Sequence, residues 1–244
     1  MSKLNTNFGY TKVKPKEKTK LVQNVFSDIA KHYDLMNDLM SFGSHRLWKK
    51  KFVEIINPKK NEIIIDVGSG TGDIAKNILK TKFNGELHLL DLNSQMINIG
   101  KSTIGKNKNV FFHKGNAEDL KFKKNTFDKY IIAFCLRNIT NIEKSIEEAL
   151  RVLKPGGIYY CLEFSSSNSI IISQLYKKYK TRVLPLIGKL IAGNKNAYKY
   201  LSESIDLFPN QKELKLILEE VGFVDVSYID LFDGIVSIHK GYKI

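Results

Sequence analysis

Short apolar runs alternate with longer amphipathic stretches along the chain from residue 62 onward. Runs rich in β-branched and aromatic residues predict buried parallel strands over 62–67, 86–92, 110–113, 130–134 and 158–164. Amphipathic helices are predicted over 73–80, 143–153 and 212–221, and a further helix is predicted to begin after Ser94, which is its expected N-cap. Two final strands, 224–229 and 235–240, are joined at Asp233-Gly234, a hairpin signal. The pattern predicts an α/β fold: a doubly wound, mostly parallel sheet of about seven strands with an antiparallel C-terminal hairpin.

The length of the chain, 244 residues, is enough to bury one large core. We expect a single domain over 1–244, with a helical cap over 1–60 and a helical insertion over 165–201 that contains an apolar run, 183–192. No window approaches the roughly 18 apolar residues of a membrane-spanning helix. The start of the chain lacks the apolar core of a secretory signal. Cys135 and Cys161 suit a reducing cytoplasm and make no disulfide framework or metal cluster, so no metal is expected.

A glycine-rich loop, Asp66-Val-Gly68-Ser-Gly70-Thr71-Gly72, follows the first predicted strand. Glycines allow a tight turn and let backbone N–H groups approach a ligand closely. The spacing G-x-G-x-G behind an acid differs from the dinucleotide pattern G-x-G-x-x-G, and the loop lacks the Gly-Lys-Ser/Thr ending of a P-loop. It resembles the first motif of class I S-adenosylmethionine-dependent methyltransferases, which implies a Rossmann-like fold.

Residues further along the chain agree with that resemblance. Asp91 ends the second strand, where a carboxylate can accept hydrogen bonds from two ribose hydroxyls. The Pro155-Gly156-Gly157 turn before the fifth strand matches a later turn of the class. The resemblance implies S-adenosyl-L-methionine as the cofactor, with contacts from Asp66, Gly68, Gly70, Thr71, Asp91, Asn116 and Ala117. Many members carry Ser at the position of Ala133, so one side-chain contact is absent here.

A second resemblance is more specific and covers nearly the whole chain. It is carried by 25–49, Thr71-Gly72-Asp73, Leu136-Arg137-Asn138, 200–205 and 239–243. These segments are similar to the ubiquinone/menaquinone biosynthesis C-methyltransferase family. The resemblance implies methyl transfer to a ring carbon of a polyprenyl benzoquinol or of demethylmenaquinol, and it leaves the choice between these acceptors open.

Arg137 and Asn138, just beyond the fourth strand, are the candidate catalytic residues. An aromatic carbon is a poor nucleophile until a neighbouring hydroxyl loses its proton, so a quinol needs a general base or a cation beside the phenolate. Arg is too basic for a simple base, so we expect Arg137 to stabilise the phenolate or to hold a water that takes the proton. A surface or salt-bridge role is the alternative for Arg137. Glu163 is open to two roles, facing the ring or pairing with Arg137.

Candidate substrate contacts lie in the N-terminal segment that should fold over the pocket. They are Tyr33, Asn37 and His45, although Tyr33, like Trp48, is open to a core-packing role. Cys135 lacks the preceding proline of a cytosine C5 nucleophile, so we expect a small buried core thiol there.

Positive charge is concentrated in two parts of the chain. The sequence has 39 Lys and Arg against 25 Asp and Glu, a net charge of +14. Residues 1–24 hold six lysines against Glu17, and seven basic residues but no acid stand between Glu163 and Glu203. An excess of this size favours an anionic partner. The family resemblance implies a prenylated quinol as the substrate. Because the second basic stretch flanks the apolar run 183–192, we expect an anionic membrane surface as a partner rather than nucleic acid. The alternative is that the insertion is an ordinary helical lid that only packs or dimerises.

Other functions stay open at this level. One is a class I methyltransferase that acts on RNA or on another small aromatic substrate, and another is a non-catalytic module that keeps the cofactor loop as scaffold. A homodimer or a quinone-biosynthesis complex is a further expectation for the partners. The expected location is the cytoplasm of a bacterium, peripherally associated with the inner membrane.

Overall fold

An N-terminal hairpin and three helices come before the central sheet. The computed structural model describes residues 6–30, 33–41, 43–167, 169, 174, 178–179 and 195–244. The first elements are β1 (Thr6–Phe8), β2 (Thr11–Val13), α1 (Pro15–Ile29), α2 (Tyr33–Ser41) and α3 (His45–Ile56). The segment expected as a helical cap over 1–60 therefore also contains a short strand hairpin.

Strands and helices alternate from residue 63 onward. They are β3 (Ile63–Val67), α4 (Asp73–Leu79), β4 (Glu86–Asp91), α5 (Ser94–Ile104), β5 (Val110–Lys114), β6 (Phe127–Ala133), α6 (Ile142–Val152) and β7 (Leu153–Phe164). The last elements are α7 (Lys195–Asp206), α8 (Gln211–Val221), β8 (Val224–Leu231) and β9 (Val236–Tyr242). Apart from α7, which runs past the predicted insertion, this order is the one that the hydrophobic pattern predicts.

Seven of these strands form one sheet in the order β5-β4-β3-β6-β7-β9-β8. Neighbours from β5 to β7 are parallel, whereas β9 runs antiparallel to β7 and β8 runs antiparallel to β9. The predicted doubly wound α/β fold with an antiparallel C-terminal hairpin is therefore confirmed. The strand order reverses at β3, which lies between β4 and β6. In open α/β sheets, ligand clefts form at the carboxyl ends of the strands at such a point.

Both faces of the sheet are covered by helices. Ile64 and Ile65 are neighbours on β3, both are fully buried, and they belong to different apolar layers. Successive side chains of a strand point to opposite faces, so a strand with both faces covered is apolar throughout. One layer contains residues of α3, α4 and α7, and the other contains residues of α6 and α8. This burial explains why the strands are continuous apolar runs in the amino-acid sequence.

The N-cap of α5 differs from the prediction. Asn93, rather than Ser94, caps this helix, because its side-chain oxygen accepts from the backbone N–H groups of Gln95 at 2.9 Å and Met96 at 3.3 Å. The Asn93 amide nitrogen also donates to Ser27 Oγ at 2.8 Å. An amide can accept and donate at the same time, so it caps α5 and ties it to α1.

Several strand boundaries also differ from the prediction, and the end of β6 affects the site. β7 begins at Leu153, which pairs with Phe127 of β6. It continues through Gly156 and Gly157, which pair with Lys243 through N–H···O bonds of 2.8 and 3.0 Å. β6 ends at Ala133, since Phe134 has a positive φ angle of 53°. Phe134 thereby leads the chain out of the sheet into a 3-10 turn, Leu136–Asn138.

The N-terminal elements lie over the carboxyl ends of the strands. The Phe8 ring stacks on the Tyr200 ring with 4.2 Å between centroids, and Lys18 Nζ donates to Ile139 O at 2.8 Å. Among the described residues, no helix is both long enough and apolar enough to cross a membrane. Most of the predicted insertion, with the apolar run 183–192, lies outside the described residues, and its last part belongs to α7.

Candidate active site

The glycine loop between β3 and α4 is held against β4. Gly68 N and Ser69 N both donate to Leu90 O, at 2.7 and 3.1 Å. Gly68 and Gly70 have positive φ angles of 68° and 54°, a conformation that glycine adopts without steric cost. A Cβ atom on Gly68 would collide with Cys135 Sγ. The loop therefore needs glycine both for its turn and for its close approach to the segment after β6.

Asp91, at the end of β4, anchors the loop with its carboxylate. Its Oδ2 accepts from Gly70 N at 2.9 Å, and its Oδ1 accepts from Asn93 N at 2.8 Å. Burial raises the pKa of Asp91, and these two N–H groups oppose the rise. Each carboxylate oxygen has a second lone pair, so Asp91 can also accept hydrogen bonds from ligand hydroxyls.

A cleft, which we call the cofactor cleft, lies beside these groups. Leu90 and Met96 give the cleft apolar walls, and Phe26 contributes from α1. The predicted site residues in its walls are Gly68, Gly70, Asp91, Asn116, Ala117, Tyr33 and Asn138.

Asp66 and Thr71, which were also predicted as cofactor contacts, lie outside the walls of the cofactor cleft. Asp66 is only 1% exposed, and burial together with nearby Asp91 raises its pKa to about 8. Asp66 Oδ2 and Thr71 Oγ1 are buried and have no hydrogen-bond partner among the described residues. A contact of either residue with the cofactor stays a prediction.

Arg137 forms a buried ion pair with Glu163 at the carboxyl end of β7. Arg137 Nη1 donates to Glu163 Oε1 at 2.6 Å and to Phe134 O at 2.7 Å. The side chains of Arg137 and Glu163 are 4% and 1% exposed. Burial lowers the pKa of Arg137, but Glu163, Tyr33 and Tyr200 together raise it by more, so the guanidinium remains charged. Of the two roles left open for Glu163, the structure shows the pairing with Arg137.

Asn138 is oriented by a tyrosine of α7. Tyr200 OH donates to Asn138 Oδ1 at 3.0 Å, in a buried contact. Burial raises the pKa of Tyr200, and Arg137 opposes the rise, so Tyr200 is a neutral hydrogen-bond donor near neutral pH. The fixed Asn138 side chain borders the cofactor cleft, while Arg137, its neighbour in the chain, lies outside its walls.

The three predicted substrate contacts have different surroundings. Tyr33 borders the cofactor cleft, and burial raises the pKa of its hydroxyl. Asn37 has a buried amide nitrogen without a hydrogen-bond partner among the described residues. His45 Nε2 is bonded to Asp38 Oδ1 at 2.8 Å, and burial lowers the pKa of His45. The substrate roles of these residues stay predictions, whereas Trp48, at 5% exposed, is a core residue.

Two residues of this region were not predicted as site residues. Tyr200 lies in segment 200–205, which carries part of the family resemblance, but its contact with Asn138 joins parts of the chain that are far apart in sequence. Lys18 continues the apolar stripe of Val22, Phe26 and Ile29 on α1, and such a lysine in an apolar stripe is the signal that could have revealed it. Burial lowers the pKa of Lys18 to about 8.

The two cysteines differ in their surroundings. Cys161 is fully buried, whereas Cys135, predicted as a core thiol, is half-buried and borders the cofactor cleft. It lies there because Phe134 turns the chain out of β6 toward the glycine loop. Burial raises the pKa of the Cys135 thiol, so it carries no thiolate near neutral pH.

The cofactor cleft suits the parts of S-adenosylmethionine. The glycine loop leaves its backbone open at Gly70, where a Cβ atom would have no neighbour closer than 4.0 Å. Asp91 offers acceptors for ribose hydroxyls, and Leu90, Met96 and Ala117 form apolar walls for a base. The sheet order, the acid-led glycine loop and the carboxylate after the next strand together define a class I S-adenosylmethionine-dependent methyltransferase.

Comparison with known proteins identifies the family within this class. Residues 12–243 match the ubiE/COQ5 methyltransferase family, and the chain belongs to it. The ubiquinone/menaquinone biosynthesis C-methyltransferase of Rickettsia bellii is 49% identical over 246 residues, which cover 98% of this chain and 99% of the relative. The protein of the same name from Zymomonas mobilis is 44% identical over 240 residues, which cover 98% of each chain. The predicted family, enzyme class and cofactor are confirmed.

Solved structures share the fold at low sequence identity. An S-adenosylmethionine-dependent methyltransferase of Thermotoga maritima has a TM-score of 0.66 and 20% identity, over 91% of this chain and all (100%) of that one. Phosphoethanolamine N-methyltransferase 2 of Haemonchus contortus, solved with S-adenosylhomocysteine, has a TM-score of 0.61 and 15% identity, over 80% of this chain and 52% of that one. These similarities support the fold alone.

Proposed function

We propose that this chain transfers a methyl group to a ring carbon of a polyprenyl benzoquinol, of demethylmenaquinol, or of both. The observation that carries the proposal is the buried, charged Arg137 beside Asn138, which borders the cofactor cleft. The names of the Rickettsia and Zymomonas relatives, which refer to ubiquinone and menaquinone biosynthesis, support the same acceptors.

Arg137 is suited to stabilise a phenolate. S-adenosylmethionine supplies, when bound, an electrophilic methyl group on a positively charged sulfur. Arg137 Nε is buried without a hydrogen-bond partner among the described residues, so it can donate to the quinol oxygen or to a water that takes its proton. Loss of that proton pushes charge onto the ring carbon. This carbon takes the methyl group as the sulfur–methyl bond breaks, and the electron pair of that bond stays on the sulfur. The proton on this carbon then leaves to water, and the ring becomes aromatic again.

Glu163 and Tyr200 hold the two catalytic candidates in place. Glu163 fixes the Arg137 guanidinium from one side, and Tyr200 fixes the Asn138 amide through its hydroxyl. Methyl transfer requires the acceptor carbon to lie in line with the departing sulfur, so groups that position the ring contribute directly to the rate.

Replacing Arg137 by Ala tests the catalytic assignment. Transfer of labelled methyl to a quinol should fall by about 100-fold, in the range found when one preorganised transition-state donor is removed. The Kd for S-adenosylmethionine should stay the same, because Arg137 lies outside the cofactor cleft. Arg151→Ala is the control, since Arg151 pairs with Glu148 away from the site, with a side chain 36% exposed. A fully active Arg137→Ala variant would refute the assignment.

The acceptor itself is identified by the quinones of cells that lack the protein. Accumulation of a demethylated ubiquinone precursor would identify a benzoquinol acceptor, and accumulation of demethylmenaquinone would identify the naphthoquinol. If neither compound accumulates, and the purified chain transfers labelled methyl to RNA or to a different small aromatic compound, the proposed function is wrong.

We further propose that the chain works in the bacterial cytoplasm, against the inner membrane. The support is the concentration of positive charge in 1–24 and between Glu163 and Glu203, next to the apolar run 183–192. Flotation with liposomes tests this idea: binding should need anionic lipid and weaken when Lys177, Lys178 and Lys180 are neutralised together. Flotation that is indifferent to lipid charge would contradict it. A homodimer or a quinone-biosynthesis complex stays a prediction.

A further inference from the structure

A second cleft lies on the other side of the turn that carries the catalytic candidates. It has a volume of about 710 Å³ and runs between the β1–β2 hairpin, the start of α6 and the connection from α7 to α8. We call it the second cleft. Its volume lies within the range of about 300–1,000 Å³ that is usual for ligand pockets. The cleft therefore has room for a ligand that is larger than a quinol ring.

The two clefts share a wall. Glu118, Ile139 and Thr140 border both of them, and the neighbouring catalytic candidates are divided between them, with Asn138 in the cofactor cleft and Arg137 in the second. Methyl transfer requires donor and acceptor to meet within bonding distance. A molecule that reaches Arg137 through the second cleft arrives beside the segment that borders the cofactor cleft.

The second cleft has a buried end and an open end. The Arg137 side chain is 4% exposed, which marks the buried end. Leu207 is 45% exposed, which marks an opening to solvent. Between them, half-buried apolar side chains line the cleft from α6, from the connection after α7 and from α8: Ile142, Phe208 and Ile217.

Part of the polar lining of the second cleft lies where it meets water, whereas Glu118 and Thr140 are half-buried and Ser204 is buried. Asn141, Glu143 and Lys144, around the start of α6, are exposed. Lys18 is buried, but its ammonium group is already bonded to Ile139 O at 2.8 Å. With apolar side chains along part of its wall and a cation at its buried end, the cleft suits a molecule with one polar head and a long apolar tail.

We propose that the second cleft binds the isoprenoid tail of the acceptor. The quinol hydroxyl meets Arg137 at the buried end, and the tail runs past Ile142, Phe208 and Ile217 to the opening at Leu207. This inference rests on the proposed function, because it takes the acceptor to be a prenylated quinol.

The β1–β2 hairpin forms the roof of this tail site. Its fixed contacts are the stack of Phe8 on Tyr200 and the bonds from Tyr10 N to Glu203 Oε2 at 3.2 Å and from Tyr10 OH to Asp206 Oδ2 at 2.8 Å. Because Tyr200 also donates to Asn138, the roof of the tail site and the catalytic turn are joined through one side chain.

Substitutions on neighbouring residues of α8 test the tail site. Ile217→Ser places a hydroxyl in the second cleft, whereas Leu216→Ser changes the adjacent residue, which is 56% exposed and not in its walls. Leu207→Ser is a second test variant. Because Leu207 is exposed, this substitution should leave the stability of the fold nearly unchanged. KM and kcat are measured for a quinol with a long isoprenoid tail and for the same quinol without a tail, at one fixed detergent concentration.

Ile217→Ser and Leu207→Ser should raise KM for the tailed quinol by about tenfold, the scale on which lost apolar pocket contacts discriminate substrates. KM for the tailless quinol should not change, and Leu216→Ser should behave as the wild type with both. If wild type methylates both quinols and the test variants leave KM for the tailed one unchanged, or raise both KM values equally, the tail site is refuted. If wild type methylates neither, the proposed function fails and the tail site with it.

Discussion

Replacing Glu163 by Gln should destabilise the folded chain by about 3 kcal/mol. The substitution keeps the size of the side chain and removes its charge, which leaves the Arg137 guanidinium buried with no counterion at 2.6 Å. Removing one partner of a buried ion pair typically costs about 3–5 kcal/mol. The lower end applies here, because the Gln oxygen can still accept the bond that Glu163 accepts from Phe164 N at 2.9 Å.

The measurement is urea denaturation followed by tryptophan fluorescence. The chain has one tryptophan, Trp48, and its ring lies 6.0 Å from that of Phe164, the residue after Glu163. Fluorescence therefore reports on the neighbourhood of the ion pair, and far-UV circular dichroism reports on the whole fold. Coincident transitions from the two probes would justify a two-state free energy of unfolding.

Two further variants separate the ion pair from general effects of substitution. Glu219→Gln removes a surface pair with Lys215, at 3.5 Å and about 40% exposed, so it should cost well under 1 kcal/mol. The double variant Arg137→Met with Glu163→Met removes both charges and should recover most of the stability that Glu163→Gln loses. A Glu163→Gln variant as stable as wild type would show that the reasoning about this pair is wrong.

Two other predictions concern the cofactor loop and its pH dependence. Asp91→Asn should raise the Kd for S-adenosylmethionine about 10- to 100-fold in calorimetric titrations, because a charged acceptor of hydrogen bonds from hydroxyl groups is lost. Asp119→Asn, with an exposed side chain, is the control. If Asp91→Asn binds S-adenosylmethionine with the same Kd as the wild type, the role of Asp91 is contradicted. Asp66 keeps its proton up to about pH 8 when folded but releases it near pH 4 when unfolded, so its contribution to stability is full below pH 4 and is lost as pH rises toward 8. Asp66→Asn should therefore gain in melting temperature over wild type as pH rises from 5 to 8, and a constant difference between the two proteins would count against the raised pKa of Asp66.

Much of the candidate cofactor site was predictable from local patterns. Gly68 and Gly70 need left-handed backbone angles, and Asp91 follows directly from a buried strand, so sequence neighbours alone specify these positions. The N-cap at Asn93 was missed, because Asn93 and Ser94 both suit a cap. The contact of Asn93 with Ser27 on α1, which distinguishes them, is not visible in sequence.

The candidate catalytic region was predictable only in part. Arg137 and Asn138 stand in a recognisable motif, but the partner of Arg137 was undecided between two roles for Glu163. The pairing follows from the parallel register of β6 and β7, in which Ala133 lies opposite Leu162 and so brings the ends of both strands together. The orientation of Asn138 by Tyr200 depends on how α7 packs, which the strand pattern does not specify.

The sequence by itself determined the strands, the glycine loop and the family, because each depends on which residue types stand near one another in the chain. Tertiary structure decided which charges are buried, which side chains share a wall and where the second cleft lies. Those properties depend on how separate segments pack: the second cleft needs the N-terminal hairpin, α6 and α8 at the same edge of the sheet. Burial then sets the energy of each charge, since the same Arg137–Glu163 pair exposed to water would contribute little.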